Sequence, residues 1–452
     1  MKLQFLGAAK TVTGSKYLLT VDNQHILVDC GLFQGQKELR LRNWEPFPFQ
    51  VNKIHAVVLT HAHIDHSGYL PLLVKQGFKG PIYATEATRA LCEILLRDSG
   101  RIQEEDARNA NKHGYSKHKP ALPLYTEEDA IEALKLFRTF NFNTEVSISQ
   151  ALSFHAVRAG HILGSAILTF NNSSKTLVFS GDLGRPEDPI MNPPDIITQA
   201  DYLVLESTYG IRLHSTQNAK DAFAKVVRDT VARGGTVIIP AFAVGRAQTV
   251  LYLLYQLKED HEIPNIPIYM DSPMAEEATD LMLKYSHEHR LSPELCRKIC
   301  QSVTYLRSAD DSKRMNDDES PKVIISASGM AEGGRVLHHI MHFGTDPKNS
   351  IVFVGYQAKM TRGDYILHGA KEVKIYGKMV PIRAHYESID SLSSHTDYKE
   401  TIQWLHNLQS PPKEVFLIHG EEESAEGLKS EIVSEFGWNV MIPDYLQEVT
   451  LS

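Results

Sequence analysis

The chain has 452 residues, 42% hydrophobic and 23% charged, with a formal net charge of −8 and four cysteines. This is the composition of a soluble globular protein of two or three domains, and it excludes a disulfide framework. The acidic balance argues against a broad electrostatic footprint for nucleic acid, so any such binding must come from a local basic groove or from bound metals. No apolar run approaches the length of a bilayer span, and Met1–Ala9 lacks the basic and apolar regions of a secretory leader. A cytoplasmic location is therefore expected, with no membrane partner.

In chain order, KLQFLGA, KYLLTV and HILVDCG read as short strands joined by tight turns. The β-branched run IHAVVLT ends abruptly in HAHIDH, and the helix-like GYLPLLVKQG follows. Strand, polar loop, helix is where α/β proteins place ligands. A helix is expected over Ile131–Phe140, then strands at Ser153–Val157, Ala166–Asn171 and Thr176–Ser180, the last running into Gly181-Asp182. A further strand, Tyr202–Leu205, ends at Glu206.

After Tyr209 the rhythm becomes a regular strand–helix alternation. TVIIPAF, IPIYMDSP, KVIISASG and SIVFVGY are buried-strand runs separated by helical GRAQTVLYLLYQLKED, AEEATDLMLKYSHEHR and GGRVLHHIMHF. This predicts a small parallel sheet covered by helices, a separate α/β domain over 210–383 inserted into a first domain of 1–209 and 384–452. The apolar C-terminal pattern MIPDYLQEVTL either closes the first domain's sheet or pairs across a homodimer.

His61-Ala-His63-Ile-Asp65-His66 puts three imidazoles and a carboxylate in six residues at a strand end, and 21 histidines in the chain make such clustering prominent. These are donors that suit zinc. His161 (GHILGS), Asp182 (SGDLG) and His419 (LIHGE) stand at equivalent strand ends beside glycines, which let backbone turn tightly around a metal. Seven donors from four segments exceed the need of one zinc and suit two. A carboxylate can bridge the pair, and two metals activate water and neutralise phosphoryl charge in phosphoester hydrolysis. A structural zinc would be closed and Cys-rich; this Cys-free set favours catalysis.

On these motifs the sequence resembles the metallo-β-lactamase superfamily, and within it the β-CASP RNA nucleases. HxHxDH marks the superfamily. LESTYG at Glu206, DSPMA at Asp271–Ala275, SASGMAEGGR at Ser326–Arg335, SSHTD around His395 and LIHGE around His419 mark the branch. The resemblance implies a four-layer αββα sandwich with an inserted α/β β-CASP cap forming a cleft over the metals. It implies one zinc on His61, His63 and His161 and a second on Asp65, His66 and His419, with Asp182 bridging. Asp65 and Asp182 thereby count as catalytic, together with His395, which would protonate the leaving oxygen, and Glu206, which would hold it. Asp29 in LVDCG matches an outer aspartate that orients ligand histidines. The implied function is a zinc-dependent ribonuclease with two Zn²⁺ per chain, endonucleolytic with possible exonuclease activity, on single-stranded RNA in processing or decay.

SASGMAEGGR also suggests a phosphate cradle by itself, since paired glycines open a helix; a plain helix cap fits equally. Ser328, Gly333, Gly334 and Arg335 are candidate substrate contacts, as are Lys359 and Arg362 in GYQAKMTRGD. Related sequences commonly have glycine where Met360 stands, and often arginine where Asp364 stands. His338 and His342 lack the acid of HExxH and read as an amphipathic helix face. His287 and His289 read as a solvated helix end, Cys296 and Cys300 as one helical face. RNANKHGYSKHK, Arg108–Lys119, reads as a basic surface loop. Two other functions use the same residues: a DNA nuclease or other metallohydrolase, and a catalytically silent RNA-binding scaffold. The retained seven donors weigh against the scaffold.

Overall fold

The computed structural model describes residues 1–114, 116–172, 174–215, 218–355 and 357–452. The chain forms two compact units, Met1–Leu213 with His395–Ser452, and His214–Ser394. The sequence pattern suggested a return to the first unit at 384. Strand His385–Ile389, however, pairs with Ser350–Val354 of the inserted sheet, which carries the insertion on to Ser394.

The first unit contains two seven-stranded sheets. One runs, in spatial order, Glu448–Thr450, Lys2–Phe5, Tyr17–Val21, Gln24–Val28, Ile54–Val58, Ile82–Thr85, Phe137–Phe140. The other runs Val440–Met441, Glu414–Ile418, Tyr202–Glu206, Lys175–Phe179, Ala166–Asn172, Ser153–Arg158, Glu145–Ser147. The period-2 geometry of strands explains how they stack. Tyr202 and Val204 point into a core shared by both sheets, with Phe5, Tyr17, Val58, Phe154 and Phe416. Leu203 and Leu205 point the other way, under Trp404, Leu405, Leu428 and Ile432 of helices Tyr398–Leu405 and Glu422–Phe436. Helix Glu86–His113 packs on the outer face of the first sheet. The layers are therefore α, β, β, α.

Phe154 is fully buried between the sheets, with its ring against those of Tyr83, Phe140 and Phe170. Phe154→Ala should destabilise this unit by about 3–5 kcal/mol, the usual cost of a buried aromatic truncation. A denaturant titration showing less than about 1 kcal/mol would contradict the packing.

One expected helix lies elsewhere in the chain, and one long helix has no clear signature in the sequence. The helix expected over Ile131–Phe140 runs instead from Glu127 to Leu134, started by a capping box of Thr126 and Asp129. Phe137–Phe140 is an edge strand parallel to Ile82–Thr85, so sheet pairing overrides local helical pattern there. Helix Glu86–His113 carries a weak sequence signal: beyond Leu96 it buries only Gly100 and Ala110, so its apolar stripe fades. The C-terminal pattern is used within the chain, with Glu448–Thr450 antiparallel to Lys2–Phe5.

The second unit contains a six-stranded, all-parallel sheet in the order Thr304–Tyr305, Ile268–Asp271, Val323–Ser326, Val237–Pro240, Ser350–Val354, His385–Ile389, with helices around it. Met360 sits here at φ 69°, a conformation that glycine adopts without steric cost. Asp364 accepts a hydrogen bond from the Met360 N–H at 2.9 Å, giving this chain its own way to hold that turn. No helix among the described residues is long and apolar enough to cross a membrane.

Candidate metal centre

Parallel pairing brings the functional side chains to one edge of the first unit. Gln24–Val28 and Ile54–Val58 are parallel, so Asp29 and His61 emerge at the same end. In the other sheet Lys175–Phe179, Tyr202–Glu206 and Glu414–Ile418 are parallel, delivering Asp182, Glu206 and His419 together. Ser153–Arg158 lies two antiparallel steps away, so it also ends there, shortly before His161. Asp29 and His419 hold positive φ values of 57° and 49°, local strain of the kind that collects at functional sites. Gly31 lies so close to the Asp65 carbonyl that a Cβ would come within 1.6 Å of it, which fixes glycine at that crossing.

Four donor atoms surround one point. His63 Nδ1 lies 3.1 Å from His61 Nε2 and 3.2 Å from His161 Nε2. Asp182 Oδ2 lies 3.5 Å from His61 Nε2 and 3.6 Å from His161 Nε2. A tetrahedral zinc with bonds of about 2.0–2.1 Å has ligand atoms about 3.3 Å apart. The donors fit a cation of that size. Burial pushes His61 well down and His63 down to about 4, so both rings are neutral lone-pair donors near pH 7.

A second group lies beside the first: Asp65, His66 and His419. Asp65 Oδ2 is 3.3 Å from His419 Nε2, and His66 Nε2 is 3.3 Å from Asp182 Oδ1. Asp182 thus faces one group with each oxygen. It is almost fully buried, yet its Oδ1 has no hydrogen-bond donor. A buried carboxylate oxygen in that position is what a second cation would satisfy. Burial alone would raise the Asp182 carboxyl; His419, His66 and His61 outweigh it and hold the group well below the usual range.

The outer partners fix which ring nitrogen faces inward. Asp29 accepts from His66 Nδ1 at 2.8 Å and from the Thr60 N–H and hydroxyl, each at 2.8 Å. Thr60 Oγ1 lies 3.1 Å from His61 Nδ1, and Thr208 Oγ1 lies 3.0 Å from His419 Nδ1. With a metal bound, each Nδ1 would keep the proton and each Nε2 would offer the lone pair. Asp29→Ala should weaken metal affinity about 10–100-fold, read by competition with a chelator; unchanged affinity would remove Asp29 from this role.

His395 Nδ1 donates to Glu206 at 3.0 and 3.1 Å, and Glu206 Oε1 also accepts from the Leu183 N–H at 2.5 Å. Burial works against the imidazolium, but the Glu206 carboxylate prevails and lifts His395 to about 9. Its ring stands 4.5 Å from that of His161. Thr60 and Thr208 were passed over in the sequence, although each sits next to a recognised motif. Ser15, buried with its hydroxyl 3.3 Å from His66 Nε2, carried no signal beyond the small-residue turn TGS.

In the second unit, both arginines expected to contact phosphate are committed elsewhere. Arg335 donates to the fully buried Asp271 at 2.6 Å and to the Leu306 and Arg307 carbonyls, because a buried carboxylate needs a cation. Asp271 is further held by His339 and Ser312. Arg362 donates to the Lys374, Ala331 and Glu332 carbonyls and to the Glu332 carboxylate. The Gly333 N–H is taken by Ser328 Oγ at 3.2 Å, so that turn is closed on itself, with Gly334 beyond it at φ 77°. Lys359 is exposed. The stretch expected as a basic loop, Arg108–Lys119, begins as the last turns of helix Glu86–His113; its Tyr115 lies outside the described residues, as does Tyr356 in GYQAKMTRGD.

Three family models match in succession: a metallo-beta-lactamase superfamily domain over residues 18–207, a Beta-Casp domain over 247–366, and a Zn-dependent metallo-hydrolase RNA specificity domain over 379–443. Ribonuclease TTHA0252 of Thermus thermophilus is 38% identical over 435 residues, 94% of each chain. Transcription termination factor FttA of Methanosarcina mazei is 32% identical over 459 residues, covering 96% of this chain and 69% of that protein. Its namesake from Methanocaldococcus jannaschii is 30% identical, covering 93% and 67%. Among solved structures, a protein of unknown function from Enterococcus faecalis shares the fold, with a TM-score of 0.57 at 13% identity over 100% of this chain and 99% of that one.

Proposed function

The chain belongs to the β-CASP branch of the metallo-β-lactamase superfamily of metallo-hydrolases, and we propose that it is a ribonuclease using two zinc ions to cleave single-stranded RNA, chiefly endonucleolytically. The observation that carries this reading is the Asp182 carboxylate, buried with one oxygen turned to each of two adjacent donor groups. His61, His63 and His161 would hold one ion, and Asp65, His66 and His419 the other. When bound, the pair would supply charge neutralisation at the phosphoryl oxygens and make a water acidic enough to lose a proton to solvent and serve as the nucleophile at phosphorus.

The remaining chemistry belongs to the side chains. Attack breaks the bond from phosphorus to the ribose 3′ oxygen, which leaves as an alkoxide unless it is protonated. With Nδ1 held by Glu206, His395 can give that proton from Nε2, and its raised pKa keeps the ring charged at neutral pH. Glu206 positions the ring and stabilises its charge. Of the residues expected to hold substrate phosphate in the second unit, Lys359 keeps that role.

Matched single-stranded RNA and DNA oligonucleotides, incubated side by side with the zinc-loaded protein, test the reading. RNA should be cut internally and DNA spared. Cleavage of DNA alone would move the protein to the DNA nucleases, and cleavage of neither would refute the proposal.

A further inference from the structure

Near the segment that leads back to the metal donors, the first unit presents one mostly exposed tryptophan. Helix Lys37–Arg42 buries none of its residues, and Trp44 just beyond it is 58% exposed. Trp44 is the only exposed phenylalanine, tyrosine or tryptophan of that unit among the described residues. Its neighbours are anchored: Phe47 packs on Tyr69 and Phe49 on His25, with ring centroids 5.7 and 4.6 Å apart. The segment therefore turns two rings inward and one outward.

The segment is also held rigidly. Buried Asn43 accepts from the Phe33 N–H at 2.9 Å and donates to the Phe33 carbonyl at 2.7 Å. The Arg42 guanidinium lies 4.2 Å from the Tyr445 ring and 5.5 Å from that of Phe33. Leu32, next to Phe33, donates to the carbonyl of Ile64, the neighbour of Asp65. This path of two bonded pairs and three residue steps puts Trp44 within about 25 Å of Asp65 along the backbone. Lys37, Arg40 and Arg42 outnumber Glu38 and Glu45 around it, and Lys37 and Arg40 are exposed.

We propose that Trp44, with Lys37 and Arg40, is a stacking subsite for single-stranded nucleic acid, taking one base of the substrate strand beside the metal centre. A flat indole offered to solvent among cations matches a base and its flanking phosphates: stacking accepts any base, while the cations meet the backbone. An apolar protein partner would gain little from the charged helix face. The subsite rests on the nucleic-acid reading above and adds to it the place where the strand is gripped.

The chain has three tryptophans; Trp404 is buried and Trp438 is half-buried against Phe436, so Trp44 is the most open to a ligand. The test titrates an oligoadenylate of about a dozen nucleotides into the His395→Ala protein while tryptophan emission is read. Steady-state cleavage is then compared between the native chain and Trp44→Ala. Emission should be quenched, and less so at high salt. Trp44→Ala should raise KM about tenfold with kcat retained, and Trp44→Tyr should restore most of the loss. Thermal melting of the variants is expected to match the native chain. Quenching without any cleavage would support the subsite and sink the hydrolytic reading. Cleavage with no quenching and an unchanged KM in Trp44→Ala would leave the nuclease standing and overturn the subsite. A Trp44→Tyr variant as weak as Trp44→Ala would also overturn it.

Discussion

Asp182→Ala is expected to abolish measurable RNA cleavage and to lower bound zinc, while the protein stays folded. The carboxylate stands between two donor groups, so its removal takes an oxygen from each. It also removes the one carboxylate that lies within 4 Å of His61, His66, His161 and His419 alike. The loss should exceed the 10–100-fold typical of an outer partner such as Asp29. Elemental analysis and a cleavage assay on the same preparation check both halves. Full zinc with near-native activity would show that Asp182 shares no metal.

His395→Ala should behave differently. Zinc content should be unchanged, because all seven metal donors stay in place and the Nδ1 of this ring is held by Glu206. Cleavage of RNA should fall by about 10²–10⁴, the usual contribution of a positioned acid, equivalent to about 3–5 kcal/mol of barrier. An aryl phosphodiester such as bis(p-nitrophenyl) phosphate separates the roles. Its leaving group departs as an anion without a proton, so the variant should keep most of its activity there. An equal loss on both substrates would assign His395 to binding or folding instead.

Much of this site could be read from the sequence because its donors follow strands directly. His61, Asp182 and His419 each close a run of buried aliphatic residues, and a strand end fixes position without knowledge of the rest of the fold. The convergence itself was not visible from the residues. It depends on which strands pair in parallel, and pairing of Tyr202–Glu206 with Glu414–Ile418 joins segments about two hundred residues apart. Only the resemblance to a family supplied that link in advance.

The elements that were misread have local causes. Phe137–Phe140 follows a helix and carries no turn signal, so its strand character comes from Ile82–Thr85 alone. Arg335 looked like a phosphate ligand because its glycine-rich neighbourhood suggested a cradle. The buried carboxylate that claims it, Asp271, belongs to another strand sixty-four positions away. Trp44 is silent in the sequence for the opposite reason: a single aromatic in a polar stretch has no pattern, and only its exposure beside an otherwise well-anchored segment gives it meaning.

The central claim is that two cations lie side by side with Asp182 between them. Anomalous-difference maps from crystals of the zinc-loaded protein, collected on either side of the zinc edge, test it most directly. The account predicts two peaks, one within bonding distance of His61, His63 and His161 and the other of Asp65, His66 and His419, each also touching one oxygen of Asp182. A single peak that leaves Asp65 and His419 without a metal, or no peak at this edge of the sandwich, would contradict it.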